Sequence, residues 1–139
     1  MNPRMIRTYS EMRQHETFKE RFVYLRLGGG VADETFGFDR YINQQFYRSR
    51  EWKQARRDTL ARDLGCDLGL EGYEIFSRAL IHHINPITAE DIRIGADILF
   101  DPENLITVTH ITHNAIHYGD FPAHYDEPTE RRRGDTKLW

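Results

Sequence analysis

Residues 80–119 read LIHHINPITAEDIRIGADILFDPENLITVTHITHNAIHYG, and the changes of period along this stretch decide the fold. Residues 78–84 form a short run rich in isoleucine, which suits a strand, as do residues 73–76 just before it. Pro86 and Thr88 turn the chain, and Thr88 can cap a short helix through Ile92. Asp101-Pro102-Glu103-Asn104 reads as a turn. Leu105, Thr107 and Thr109 then alternate with Ile106 and Val108, a period of two that predicts another strand. From about Thr109 to Tyr118 the spacing predicts a helix, ended by Gly119. The order is strand, strand, helix.

This stretch holds five of the seven histidines, His82, His83, His110, His113 and His117. His113 and His117 are four apart, which on a helix puts both rings on one face with about 5–6 Å between Cβ atoms. Such a pair can reach one ion, although alone it is a weak signal. Neighbours on a strand point to opposite sides. One of His82 and His83 can therefore join a metal while the other approaches a substrate. Together with the amide of Asn104, the set reads as a single-ion site with a free base beside it.

Outward from the site, residues 9–26 read as one amphipathic helix capped by Ser10, with Met12, Phe18, Phe22 and Leu25 on its apolar face. Gly28, Gly29 and Gly30 end it. No strand precedes this triplet and no Lys-Ser/Thr follows, so it is not a phosphate loop. Phe36, Phe38, Tyr41, Phe46 and Tyr47 are expected to pack. Ser49 caps a second helix in which Trp52, Ala55, Thr59 and Leu60 face inward and Arg50, Lys53, Arg56 and Arg57 line the outer face; Gly65 stops it. The tail from Phe121, with Arg131, Arg132 and Arg133, reads as extended. The expected class is α+β. A single domain over 1–120 would comprise a helical part (1–65) and a core (73–119), followed by a tail at 121–139.

The chain has 139 residues, so one domain is the default. Its apolar share is 39% and its mean hydropathy is -0.70, with no apolar run near the roughly 20 residues needed to span a membrane. The N-terminus lacks the apolar core of a secretory signal. One cysteine, Cys66, excludes an internal disulfide and a cysteine zinc cage. A cytoplasmic setting is expected. Net charge is -3, which argues against indiscriminate nucleic-acid binding. Beneath that average, residues 1–65 carry 13 basic and 9 acidic side chains, and residues 66–139 carry 6 and 13. An acidic surround suits a cation, and a basic half can hold a phosphate backbone.

The set His82-His83, Asn104, His113 and His117 resembles the HNH endonuclease family, the ββα-metal or His-Me finger nucleases. HNAIH at 113–117 looks like the ligand helix of the three-histidine version. Upstream, FYRSREWKQARRDTLARDLGCDLG at 46–69 resembles the segment before the site in phage-encoded members, and the closing GDTKLW resembles some of their tails. Many of those carry two C-x-x-C pairs for a structural zinc. Here Gly69 stands where a second cysteine would be, so a structural zinc is not expected.

The resemblance implies that His82, His113 and His117 hold one divalent cation and that His83 is the general base. It implies that Asn104 fixes the loop carrying His83, and that cleavage leaves 5′-phosphate and 3′-hydroxyl ends. Zinc, nickel, manganese or magnesium would fit, with magnesium the least suited to nitrogen ligands. DNA is the expected partner, gripped by Arg50, Lys53, Arg56 and Arg57. His110 is a further candidate substrate contact, whereas His15 and His124 read as surface residues and Cys66 as a buried structural thiol. A phage or prophage setting follows from the resemblance, with the host cytoplasm as the compartment. The alternative is a non-catalytic DNA-binding or terminase-associated packaging module with a structural metal. An RNA nuclease is a third reading.

Overall fold

A computed structural model describes residues 4–26 and 40–119, with side chains from Asn43 onward in the second segment. Gly28–Gly30, Phe36, Phe38, the Tyr41 side chain, His124 and the tail with Arg131–Arg133 lie outside the described residues. The elements run α1 (Tyr9–Arg13), α2 (Phe18–Leu25), α3 (Arg40–Arg48), α4 (Arg50–Arg62), β1 (Leu80–His83), α5 (Ala89–Ile94), β2 (Leu105–Val108) and α6 (His110–Tyr118). Short 3₁₀ turns lie at Asp67–Gly69, Asp97–Leu99 and Pro102–Asn104. The class is mixed helix with a small antiparallel sheet, as the patterning suggested.

β1 pairs with β2 in the register Leu80↔Val108, Ile81↔Thr107, His82↔Ile106 and His83↔Leu105. Alternation then sorts side chains by face. Leu80, Ile106 and Val108 join a core with Met12, Phe18, Phe22, Leu25, Leu68, Ile84 and Ile116. Ile81 and Leu105 join a second core with Phe46, Trp52, Ile87, Ile98 and Leu99. All four residues of β2 are buried because helices and loops cover both faces of the sheet.

Local chemistry sets the helix ends. Ser49 accepts from the Trp52 amide at the start of α4. Thr88 and Asp91 form a reciprocal capping box on α5, which runs two residues past the expected end to Gly95, at φ 67°. α4 stops at Arg62 and is capped by Asp63, and Gly65 lies beyond that cap at φ 66°.

Two expectations fail. Residues 9–26 form two helices rather than one. Thr8, not Ser10, caps α1, and Thr17 caps α2 by accepting from the Glu20 amide. Ser10 instead donates its hydroxyl to Glu103 at 2.7 Å. The break is held by Arg21, whose guanidinium donates to the His15 and Leu68 carbonyls at 2.8 and 2.7 Å. Residues 73–76 make no strand, only an isolated bridge between Cys66 and Glu74. The facing segment cannot continue a ladder, because Leu64, Gly65, Leu68 and Gly69 all take positive φ.

The end of α4 is tied to β2. The Arg62 guanidinium lies 3.5 Å over the Tyr9 ring and donates to Asp63, Pro102 O and Leu105 O. The buried Asp63 carboxylate accepts from the Thr107 amide at 2.9 Å. These bonds fix β2, and β1 through it, against the helix that carries the basic side chains.

Candidate metal centre

His82 projects from β1 toward α6, which carries His113 and His117. Its ring centroid lies 5.4 Å from that of His113 and 5.1 Å from that of His117, whose rings are 4.4 Å apart. One ring nitrogen from each residue can be chosen so that all three lie within 4.8 Å of one another. The His113 and His117 Nε2 atoms are 3.1 Å apart. Tetrahedral zinc with bonds of about 2.0–2.1 Å would set two ligand nitrogens at roughly 3.3 Å. The donor set and spacing fit a divalent metal.

A second observation agrees. His82 is 2% exposed and its Nε2 has no hydrogen-bond partner among the described residues. A buried polar nitrogen is ordinarily paired. Ligation would satisfy it. Burial also keeps the rings neutral, the form a metal needs. Desolvation, reinforced by the neighbouring imidazoles, pushes His82 well below the ordinary histidine range. The same causes bring His113 to about 4, and burial lowers His117.

The base of α6 is set from a distance. Asp67 is buried and its carboxylate accepts from the Thr112 hydroxyl at 2.6 Å, the Thr109 hydroxyl at 3.0 Å and the Thr109 amide at 3.2 Å. Thr109 is the N-cap and Thr112 lies in the first turn, so this carboxylate orients the helix that carries two of the imidazoles. Burial raises it to about 6 despite the hydrogen bonds. The sequence reading missed Asp67. The T-x-x-T spacing at 109–112 marks a cap but not its distant partner.

His83 takes the other face. Its ring stacks on Trp52 at 5.2 Å and 26°, with Phe46 6.2 Å away. Its Nε2 lies 3.0 Å from the Leu99 carbonyl, so that nitrogen carries the hydrogen and Nδ1 keeps its lone pair. Burial lowers the ring to about 4.

Asn104 is fully buried. Its Oδ1 accepts from the Asn85 amide at 2.6 Å and from Asn85 Nδ2 at 2.8 Å, and its Nδ2 donates to the Ile98 and Asn85 carbonyls at 2.9 and 3.3 Å. It does not touch His83. It ties together the loop after β1 and the turn containing Leu99, which holds the His83 ring.

One cavity of about 890 Å³ runs along β1 and is lined by all four of these histidines. Lys53 and Arg56 line it too, while Arg50 and Arg57 do not. Arg56 donates to the Ala79 carbonyl at 3.2 Å and Arg57 to Gln54 at 2.8 Å. His110 and Asn114 also line it, as does Arg78, a cation the sequence reading did not single out. His15 sits apart, beside Glu20 and Tyr24. Cys66 is buried, which pushes its thiol up.

No helix of the described residues is long and apolar enough to cross a membrane. No family model, curated protein or solved structure matches the chain.

Proposed function

We propose that this protein is a metal-dependent endonuclease of the HNH, ββα-metal type, hydrolysing DNA phosphodiester bonds. The observation that carries the reading is the division of the His82-His83 pair. One ring joins two imidazoles in a triad fit for a cation, and the other lines the same cavity with its Nε2 held at the Leu99 carbonyl, which leaves the lone pair at Nδ1. Among the described residues three side chains offer ligands to one ion, and a three-ligand site would leave a position for water or phosphate, the pattern of catalytic rather than closed structural sites.

His82, His113 and His117 would hold a divalent cation, which when bound would serve as a Lewis acid against charge developing on the phosphate. His83 is neutral at physiological pH and takes a proton from the attacking water at Nδ1. The Leu99 carbonyl fixes its tautomer, and Trp52 fixes its plane. Asn104 positions this assembly by holding Asn85 to Ile98. Lys53 and Arg56 hold the phosphate backbone, which favours affinity over sequence choice. Arg50 and Arg57, outside the cavity, would contact DNA only further along the duplex.

The packaging-module reading shares the need for cations but needs no lone-pair nitrogen at His83. Incubation of supercoiled plasmid with the protein and manganese, magnesium, nickel or zinc separates the two. Relaxed or linear product that disappears in His83→Ala, with metal still bound, supports the nuclease. Intact plasmid with every metal overturns it.

A further inference from the structure

We propose that Tyr47 and Tyr118 are stacking platforms for unpaired bases on either side of the scissile phosphate, so that DNA enters the site single-stranded or locally melted. This rests on the nuclease reading and names the form of its substrate.

Both rings line the cavity of the histidines, and both are exposed, at 48% and 59%. Neither belongs to the two cores; Tyr47, expected to pack, stays half exposed and meets Phe46 and Trp52 edge-on, while Phe46 packs inward. Their positions relative to the chemistry are alike. Tyr118 lies 5.9 Å from His117, a member of the cation triad. Tyr47 lies 5.5 Å from Trp52, which stacks on His83. Each tyrosine is therefore one ring removed from a reacting group, one on the cation side and one on the base side. Lys53, Arg56 and Arg78 line the same cavity and supply charge for the backbone between them.

Aromatic faces interleaved with cations are what unpaired nucleic acid binds, because every base offers a π face. A paired duplex keeps those faces inside its stack. It would meet the cations but leave both tyrosine rings unused. The triad lines this same cavity, so a base splayed from its neighbours and seated there would bring its phosphate toward the imidazoles.

The test has a binding arm and a cleavage arm. In the first, an oligonucleotide with unpaired 2-aminopurine is titrated with the metal-free protein. Stacking quenches the fluorescence. Tyr47→Ala and Tyr118→Ala should each weaken the quench and bind about tenfold more weakly, and the double variant should lose the quench, while Tyr47→Phe and Tyr118→Phe keep both. In the second, manganese-dependent cleavage should favour single-stranded and gapped DNA over intact duplex by about tenfold, a comparison made on the wild-type protein alone. Equal rates on duplex and single strand overturn the proposal, as do alanine variants that quench like wild type. Loss in the phenylalanine variants also overturns it, since the hydroxyl and not the ring face would then be the contact. If nothing is cleaved but the tyrosine-dependent quench persists, the nuclease reading fails and the stacking site stands.

Discussion

Asn104→Asp is isosteric with the native residue, so it changes hydrogen bonding without opening a cavity. Asn104 accepts two bonds from Asn85 and donates two, to the Ile98 and Asn85 carbonyls, with no exposed surface. The substitution keeps the accepted pair and turns the donated pair into oxygen–oxygen contacts. Leaving a buried carbonyl unsatisfied costs about 1–3 kcal/mol, and an uncompensated buried charge costs about 3–5 kcal/mol. The two overlap, so the deficit at pH 7.5 should be on the order of 4 kcal/mol, a large share of the roughly 5–15 kcal/mol of a typical domain.

The deficit should depend on pH, with a sign that can be worked out. The new carboxyl is protonated more readily in the folded chain than in the unfolded one. Between the two pKa values the folded variant holds a proton that the unfolded variant lacks, so it gains stability relative to the native protein as pH falls. Once protonated, the carboxyl can donate to the Ile98 carbonyl again, and the deficit should shrink to about 1–2 kcal/mol. Histidine titration is common to both proteins and cancels in the difference. Urea unfolding followed by tryptophan fluorescence, at pH 7.5, 6 and 4.5, measures this. With m near 2 kcal/mol/M, the midpoints should differ by about 2 M at pH 7.5 and less than 1 M at pH 4.5. Asn104→Ala should show a deficit that does not vary with pH. Parallel deficits for Asn104→Asp and Asn104→Ala at every pH would refute the assigned bonds.

His117→Ala should lower zinc affinity by more than 100-fold by calorimetry, since losing even a group that supports a ligand costs about 10–100-fold. Zinc at 100 times its Kd should stabilise the native protein by about 2.7 kcal/mol in a thermal scan, and unchanged melting would remove the triad's assignment. Metal-free protein should lose stability as pH falls from about 6.5 toward 4. Burial holds His82, His83, His113 and His117 below the ordinary histidine range when folded, with His83 and His113 near 4, while the unfolded chain takes up protons. Asp67, raised to about 6, works the other way between pH 6 and 4, so Asp67→Asn should steepen the acid loss seen in urea midpoints. Thr112→Val removes the 2.6 Å bond to Asp67 and should weaken metal binding several-fold with the ligands intact; an unchanged affinity would show that this anchor does not orient α6.

Much of the site was legible because its rules are local. Ser49, Thr88 and Thr109 mark helix starts by chemistry confined to one turn. His113 and His117 share a face wherever that helix stands, and His82 and His83 must diverge on any strand. Local rules also misled. Helical spacing over 9–26 carried no sign that Arg21 would bind carbonyls across a break, and residues 73–76 look like a strand until their partner's positive φ values are known. Sequence by itself determined the strand, strand, helix order, the caps and the types of donor available. The grouping of His82 with His113 and His117 was implied by the resemblance, but only the tertiary structure decided how those rings approach, that Leu99 holds His83, that Asp67 anchors α6 and that Tyr47, Tyr118 and Arg78 share their cavity. Those contacts join residues far apart in the chain, and their geometry depends on strand register and on how α4 and α6 pack, which no short window of sequence contains.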